Sequence, residues 1–163
     1  MQNKFLFDIN AQNLIQLMLA PAVMISACGL LLLGINNRYS LVVNRIRLLN
    51  EEKRRLFVKV GDKPLSTTEN LRLESIARQI ELLVYRVRLI RNSALSYVAA
   101  VALFVLTSLL LGFGYLLSID YLNFPIVIAF LLGMILVLTG ALFAGFESKK
   151  GYDIIKFEVD VDD

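Results

Sequence analysis

Few side chains in this sequence carry chemistry of their own, and Cys28 is the first to consider. It is the single cysteine of the chain and it ends the stretch Ile25-Ser26-Ala27-Cys28. That stretch has the form of a lipobox, the signal at which a bacterial lipoprotein is cut and acylated. A lipoprotein continues as a polar chain, whereas Gly29 to Ile35 is more apolar still. Cleavage would leave about seven apolar residues, too few to span a membrane. We therefore expect Cys28 to be a small packed residue in a helix that is retained.

The other side chains favour no enzyme. The 163 residues include no histidine, and histidine is the commonest general base and metal ligand. One cysteine cannot form an intrachain disulfide. The sequence also contains no phosphate-binding loop and no dinucleotide-binding fingerprint. We predict a protein without enzymatic activity, cofactor or metal.

Three long runs of the chain contain no charged residue, at 9–37, 92–119 and 121–146. About 20 apolar residues are enough for a helix to cross the hydrocarbon layer of a membrane. Charged residues make up 19% of the sequence, below the roughly 25% of soluble domains. We predict transmembrane helices over the last two runs and over 14–37, after a short extracytoplasmic N-terminus at 1–13.

The segment 38–91 is strongly basic, with thirteen Lys or Arg, six acids and a net charge of +7. Positive charge next to membrane helices stays on the cytoplasmic side. We therefore expect a bacterial cytoplasmic membrane protein with its N-terminus outside and its acidic tail, 147–163, inside. Orientation explains the basic excess better than nucleic acid does. The arginines near the membrane are candidate contacts for anionic lipid: Arg38, Arg45, Arg47, Arg86, Arg88 and Arg91.

The same segment predicts a helical hairpin. Gly61 and Pro64 mark a turn at 61–65, and Ser66 with Glu69 fits a capping box. The second arm carries a heptad stripe, formed by Leu73, Ile76, Ile80, Leu83, Val87, Ile90 and Ala94. The first arm has a less regular stripe, formed by Val42, Ile46, Leu49, Leu56 and Val60 and interrupted by Lys53. We predict an all-α membrane protein in which two continuous helices, about 14–60 and 66–118, extend into a cytoplasmic antiparallel coiled-coil hairpin.

Small and polar residues inside the membrane are candidate helix-packing surfaces, because helices in lipid meet through close approach and hydrogen bonds. On the first and third helices these are Ala22, Ser26, Gly29, Asn36, Asn37, Asn44, Gly133, Gly140 and Ala144. The sequence leaves open whether these surfaces meet within one chain or between chains, and we expect a homo-oligomer. Thr107 and Thr139 are candidate pore-lining residues, although such hydroxyls more often bond to their own helix.

The tail has two interpretations. Residues 155–162 alternate apolar and charged side chains, which is the pattern of a strand. We hypothesise that such a strand docks on the basic hairpin or pairs with a partner. The alternative is a disordered acidic tail.

Part of the sequence resembles a known bacterial family. The stretches Leu19-Ala20-Pro21-Ala22-Val23, Asn36-Asn37-Arg38 and Val43-Asn44-Arg45-Ile46-Arg47 are similar to the small membrane proteins called domain of unknown function 2721. The resemblance covers roughly 10–148 and is most specific over 19–47. It implies a multi-pass membrane protein and supplies no activity.

From these features we expect a non-enzymatic, homo-oligomeric scaffold or adaptor that contacts lipid, with a cytoplasmic or membrane protein as partner of the 38–91 hairpin. Two alternatives are analogies of topology only. An ion or proton channel of the ExbB/TolQ type has three helices and a large cytoplasmic segment. Glu147, Thr107 and Thr139 would be the weak counterparts of its residues in this sequence. A YidC-type membrane insertase has a cytoplasmic hairpin between its first two core helices, but it also needs a charged groove, and none is seen in the membrane runs.

Overall fold

The structure, a computed structural model, consists of three α-helices in the described part of the chain. Helix α1 spans Gln2–Lys59, α2 spans Thr67–Leu117 and α3 spans Asn123–Asp162. The backbone is described over these three ranges, and the side chains over 12–58, 67–117 and 123–151. The predicted turn at 61–65 and the capping residue Ser66 lie outside the described residues.

The first two helices are continuous, as the sequence predicts. Helix α1 begins at Gln2, ahead of the predicted start near residue 14, because no glycine or proline interrupts the first thirteen residues. It also passes through Pro21 without ending. Proline removes one backbone donor, and apolar helices tolerate that loss where neighbouring groups compensate for it. The side chain of Pro21 is fully buried.

The surface of the helices is largely apolar. In the most apolar window of each helix, only 17%, 22% and 17% of the residues are buried inside the protein, for α1, α2 and α3 in turn. A helix of a soluble protein turns its apolar stripe inward and its polar face to water. These helices expose leucines all along their length, with Leu30, Leu116 and Leu138 among the most exposed. All three are long and apolar enough to cross a membrane.

The chain divides into two compact units. The first, which we call the apolar unit, comprises Met1–Gly34 and Ser93–Leu142, and the second, the charged unit, comprises Ile35–Asn92 and Phe143–Asp163. The apolar unit contains three charged residues, Lys4, Asp8 and Asp120. All other charged residues of the sequence belong to the charged unit. The division therefore follows the charge-free runs to within a few residues.

The core of the apolar unit is formed by Cys28 on α1 with Ala100 and Phe104 on α2, all with no exposed surface. The ring of Phe104 packs against that of Phe130 on α3, with centroids 5.5 Å apart and planes tilted by 58°. Aromatic pairs favour such tilted arrangements. Cys28 is thus a packed residue in a continuous helix, as expected from its apolar surroundings.

The charged unit is assembled along lines of residues that recur every seventh position. The buried apolar residues are Ile35, Val42 and Leu49 on α1 and Ile76, Leu83 and Ile90 on α2. The remaining members of the predicted stripe on α2 (Leu73, Ile80, Val87 and Ala94) are half-buried. Lys53, which interrupts the stripe on α1, is also half-buried, in keeping with an aliphatic stem that lies along apolar surface.

The strand predicted for the tail is wrong, because α3 remains helical as far as Asp162. A strand needs a partner to complete its backbone hydrogen bonds, and the described segments contain no strand. A helix that has already formed gains one hydrogen bond for each residue added. The side chains of 152–163, and with them the hypothesis of tail docking, lie outside the described residues.

Candidate functional site

The most distinctive polar feature of the structure is Glu147, a carboxylate whose side chain is only 3% exposed. It lies on α3 and belongs to the charged unit. Arg86 on α2 donates to its Oε1 from Nη2 at 2.6 Å and from Nε at 3.1 Å. Arg38 on α1 donates to its Oε2 from Nη1 at 3.2 Å. One carboxylate therefore binds an arginine from each of the other two helices.

The position of Arg86 depends on a glycine one turn after Glu147. A Cβ placed on Gly151 would lie 2.9 Å from Nη2 of Arg86, closer than real Cβ atoms come to another heavy atom. The guanidinium thus lies directly over the backbone of α3. A larger residue at this position would require the end of the Arg86 side chain to shift. Arg86 is 23% exposed in this position.

Arg38 is bound to α3 through one nitrogen of its guanidinium group. Its Nη1 also donates to Oγ of Ser148 at 2.6 Å, so a single nitrogen binds two neighbouring residues of α3. Its side chain is 53% exposed. Within the described residues, its Nε and Nη2 make no hydrogen bond to protein. The guanidinium is therefore fixed in orientation but keeps free donors.

An open groove of about 350 Å³ adjoins this cluster, lined by Arg38, Leu41, Val42, Arg86, Glu147, Ser148 and Gly151. The cluster carries two positive charges and one negative charge, so one positive charge is left over. Burying a lone carboxylate would be costly, and two guanidinium partners offset that cost. Among the described side chains, no buried nitrogen or oxygen lacks a hydrogen-bond partner.

A second ion pair of the charged unit provides a contrast. Arg72 Nε donates to Oε1 of Glu52 at 2.9 Å, and both side chains are about half exposed. The hydrogen bond to Glu52 raises the pKa of Arg72, although partial burial opposes the rise. Exposed pairs of this kind contribute little to stability.

The predicted packing residues of α3 lie against α2 of the same chain, within the apolar unit. A Cβ on Gly133 would come within 2.8 Å of Cε1 of Phe104, and a Cβ on Gly140 within 2.9 Å of Cε1 of Tyr97. Ser93 on α2 donates to the carbonyl oxygen of Gly140 at 2.6 Å. These glycines admit two buried aromatic rings. Ala144, further along α3, is half-buried.

The predicted packing face of α1 is exposed instead. We call it the α1 small face, and it comprises Ala22, Ser26, Gly29, Asn36, Asn37 and Asn44, all exposed. Ser26 donates only to the carbonyl of Ala22 on its own helix. A Cβ on Gly29 would meet nothing within 4 Å. No described residue of the chain covers this face.

The candidate pore-lining residues both bond to their own helix. Thr107 is buried, and its hydroxyl donates to the carbonyl of Leu103 at 2.8 Å. Thr139 is half-buried and donates to the carbonyl of Ile135. Such bonds satisfy the hydroxyl proton within the helix, which is the common arrangement for threonine in apolar helices.

The six arginines predicted to contact lipid separate into two groups. Arg38 and Arg86 bind Glu147, whereas Arg45, Arg47, Arg88 and Arg91 are exposed. From the sequence, Glu147 was expected only as a weak counterpart of a channel residue, and not as the partner of two arginines. Its signal was its place as the first charged residue after the run 121–146. No group of metal-ligating side chains occurs among the described residues.

By its fold the chain is an all-helical protein with three helices of membrane-spanning length and composition, and its candidate site is a cluster of one carboxylate and two arginines. The chain belongs to the family described as protein of unknown function (DUF2721), whose model matches residues 18–157. This match confirms the resemblance drawn from residues 19–47 and reaches further towards the C-terminus than expected. Comparison with curated proteins and with solved structures gives no match.

Proposed function

We propose that this protein is a non-enzymatic scaffold or adaptor of the bacterial cytoplasmic membrane, assembled from several copies of the same chain. Its N-terminus lies outside, its C-terminus lies inside, and the charged unit extends into the cytoplasm. The net charge of +7 between residues 38 and 91 supports this orientation. The three apolar helices support residence in a membrane.

The exposure of the α1 small face is the observation that carries this proposal. Gly133 and Gly140 of α3 are covered by aromatic rings of the same chain, whereas the α1 small face is covered by no described residue. In lipid, helices associate through small residues that permit close approach and through polar side chains that bond across the contact. A face with Gly29, Ser26 and several asparagines suits a helix neighbour better than lipid chains. A second copy of the chain supplies that neighbour.

The charged unit provides the contact surface for a partner. Its buried residues recur every seventh position on α1 and on α2, which supports arms that pack as an antiparallel coiled coil. Its outer surface exposes large apolar side chains between the charges, at Leu48, Val58, Leu71, Leu82 and Tyr85. Exposed apolar groups rimmed by polar residues are typical of sites of protein contact.

Disulfide crosslinking in native membranes tests the assembly. In a Cys28→Ala background, Gly29→Cys places a single thiol on the α1 small face. Leu30→Cys is the matched control, since Leu30 is also exposed, lies at nearly the same depth and points about 100° away around the helix. A disulfide needs Cα atoms within about 7 Å, so only a thiol at a contact between copies reacts efficiently.

We expect a crosslinked dimer with Gly29→Cys and little with Leu30→Cys. A second matched pair, Ala22→Cys and Val23→Cys, repeats the comparison two turns earlier, where both side chains are exposed. Equal yields within each pair, or no dimer from either small-face position, would contradict assembly through this face.

The two alternative functions receive less support. A pore of the ExbB/TolQ type would use Thr107 and Thr139, and both hydroxyls are satisfied by their own helices. An insertase of the YidC type needs a charged groove within the membrane. The groove beside Glu147 is charged, but it lies where the charge-free runs end rather than within them.

A further inference from the structure

The cluster at Glu147 contains more positive charge than its own carboxylate neutralises. Arg38 and Arg86 both bind Glu147, which leaves one net positive charge in a partly enclosed place. An isolated charge of this kind favours an anionic neighbour. Within the described residues, no second carboxylate lines the groove.

The free donors of that charge are already oriented. Arg38 binds Glu147 and Ser148 through Nη1 alone, and this fixes the plane of its guanidinium. Its Nε and Nη2 make no hydrogen bond to the described residues, and about half of the side chain is exposed. A guanidinium edge matches the geometry of a phosphate, to which it can donate two parallel hydrogen bonds. Because the side chain is held before the ligand arrives, binding loses less conformational entropy.

The walls of the groove are of two kinds. The arginines, Glu147 and Ser148 contribute polar groups to its lining, and Leu41 and Val42 contribute apolar ones. In the orientation proposed above, α1 runs towards the cytoplasm, so Leu41 and Val42 lie on the cytoplasmic side of Arg38. The groove is therefore reached by the headgroup of a lipid and not by its acyl chains.

The location of the groove favours a lipid as the source of the phosphate. Arg38 is the first charged residue after the run 9–37, and Glu147 is the first after the run 121–146. In the orientation argued under Proposed function, on which this inference rests, both positions lie at the depth of the cytoplasmic headgroups. Anionic lipids are concentrated there and attract basic residues.

We propose that the groove beside Glu147 is a binding site for the headgroup of an anionic phospholipid, whose phosphate accepts hydrogen bonds from Nε and Nη2 of Arg38. Glu147 and Ser148 are positioning residues, because they hold the guanidinium and do not themselves bind the lipid. Arg86 neutralises Glu147, and Gly151 makes room for it. The site selects headgroup charge and not acyl chain length.

Native mass spectrometry of the full-length protein in detergent tests this site, with phosphatidylglycerol and phosphatidylcholine added in equal amounts. We expect the wild type to prefer phosphatidylglycerol by about fivefold, the effect of roughly one charge at a membrane surface. Arg38→Gln should abolish the preference. Arg38→Lys should reduce it, because lysine cannot donate two parallel bonds from a fixed plane.

Arg54→Gln is the matched control. It removes the same charge from an exposed arginine of α1 that is sixteen residues away and about 160° around the helix, at about 100° per residue. It should keep the wild-type preference. Thermal unfolding of each variant in the same detergent shows whether the fold is retained.

Several outcomes would overturn the proposal. One is an unchanged preference in both Arg38 variants, and another is an equal loss in Arg54→Gln, which would mean a diffuse attraction to basic surface. Displacement of phosphatidylglycerol by inorganic phosphate at matched ionic strength would mean that the groove recognises a phosphate ion without its lipid. By contrast, loss of the lipid preference in Arg38→Gln, with crosslinking through Gly29→Cys intact, would support the lipid site and show that it is separate from the assembly of copies.

Discussion

The apolar unit and the charged unit pack along the same seven-residue spacing but bring different side chains together. On α3, Gly133, Gly140 and Glu147 follow one another at intervals of seven. The two glycines belong to the apolar unit and receive the rings of Phe104 and Tyr97. Glu147 belongs to the charged unit and receives two guanidinium groups. Residues on the same face of α3 thus make room for aromatic rings in the apolar unit and bind opposite charges in the charged unit.

This difference follows from what each unit has available. The described part of the apolar unit contains no charged side chain, so its helices gain specificity from close approach and from the Ser93 hydrogen bond. The charged unit gains stability from buried aliphatic side chains such as Ile76 and Leu83. Those aliphatic contacts fix no register by themselves. The ion cluster can do so, because a carboxylate with partners on two helices is satisfied at one register.

The largest effect that would sharpen this comparison is expected at Glu147. Glu147→Gln keeps the shape of the side chain but leaves Arg38 and Arg86 facing each other without a counter-charge. Removing one partner of a fully buried pair costs roughly 3 to 5 kcal/mol. We expect about 2 kcal/mol, because both arginines keep some contact with solvent. The free energy of unfolding, measured by titration with sodium dodecyl sulfate in mixed micelles, gives the value.

The control for Glu147 is Glu52→Gln, which breaks the exposed pair with Arg72 in the same unit. Exposed pairs contribute about 0.2 to 1 kcal/mol, so this variant should lose no more than that. Equal losses in the two variants would show that burial of Glu147 confers no special role on the cluster.

The next largest effect is expected at Gly140, where shape rather than charge is tested. Gly140→Ala adds a Cβ 2.9 Å from Cε1 of Tyr97, whose ring is almost fully buried and cannot move aside freely. Overpacking of this kind costs roughly 1 to 3 kcal/mol, and we expect about 1.5. Gly112→Ala is the control, since a Cβ there meets nothing within 4 Å. If Gly140→Ala were as stable as Gly112→Ala, the glycine would not be required for packing.

The sequence predicted the elements of this fold better than it predicted their contacts. Uncharged runs were enough to predict three apolar helices. The lack of a breaking residue between each of the first two runs and its arm was enough to predict that the first two helices are continuous. The heptad stripe of α2 predicted which apolar residues of α2 are buried in the charged unit. These features are local, and each is visible along a single segment.

The contacts between helices could not be predicted from any single segment of the sequence. Glu147 reads as an ordinary acid after an apolar run until Arg38 and Arg86, more than sixty residues away in the chain, are seen at hydrogen-bond distance. The small residues of α1 and α3 look alike in sequence, yet Gly133 and Gly140 of α3 are covered within the chain and the α1 small face is exposed. In the tail, an alternating pattern predicted a strand, because the pattern does not reveal that a helix already leads into it.

The smallest of these effects is expected at Ser93, the one buried hydroxyl of the apolar unit described as bonding to another helix. Ser93→Ala removes its 2.6 Å bond to the carbonyl of Gly140. Hydrogen bonds between membrane helices contribute about 0.6 kcal/mol on average, and we expect a loss of that size in the free energy of unfolding. Ser108→Ala is the matched control, because the Ser108 hydroxyl donates to Phe104 on its own helix and its removal should change stability little. A loss at Ser93 as large as that at Glu147 would mean that polar contacts position the helices of both units. A loss no larger than that at Ser108 would leave the glycines and aromatic rings as the sole determinants of packing in the apolar unit.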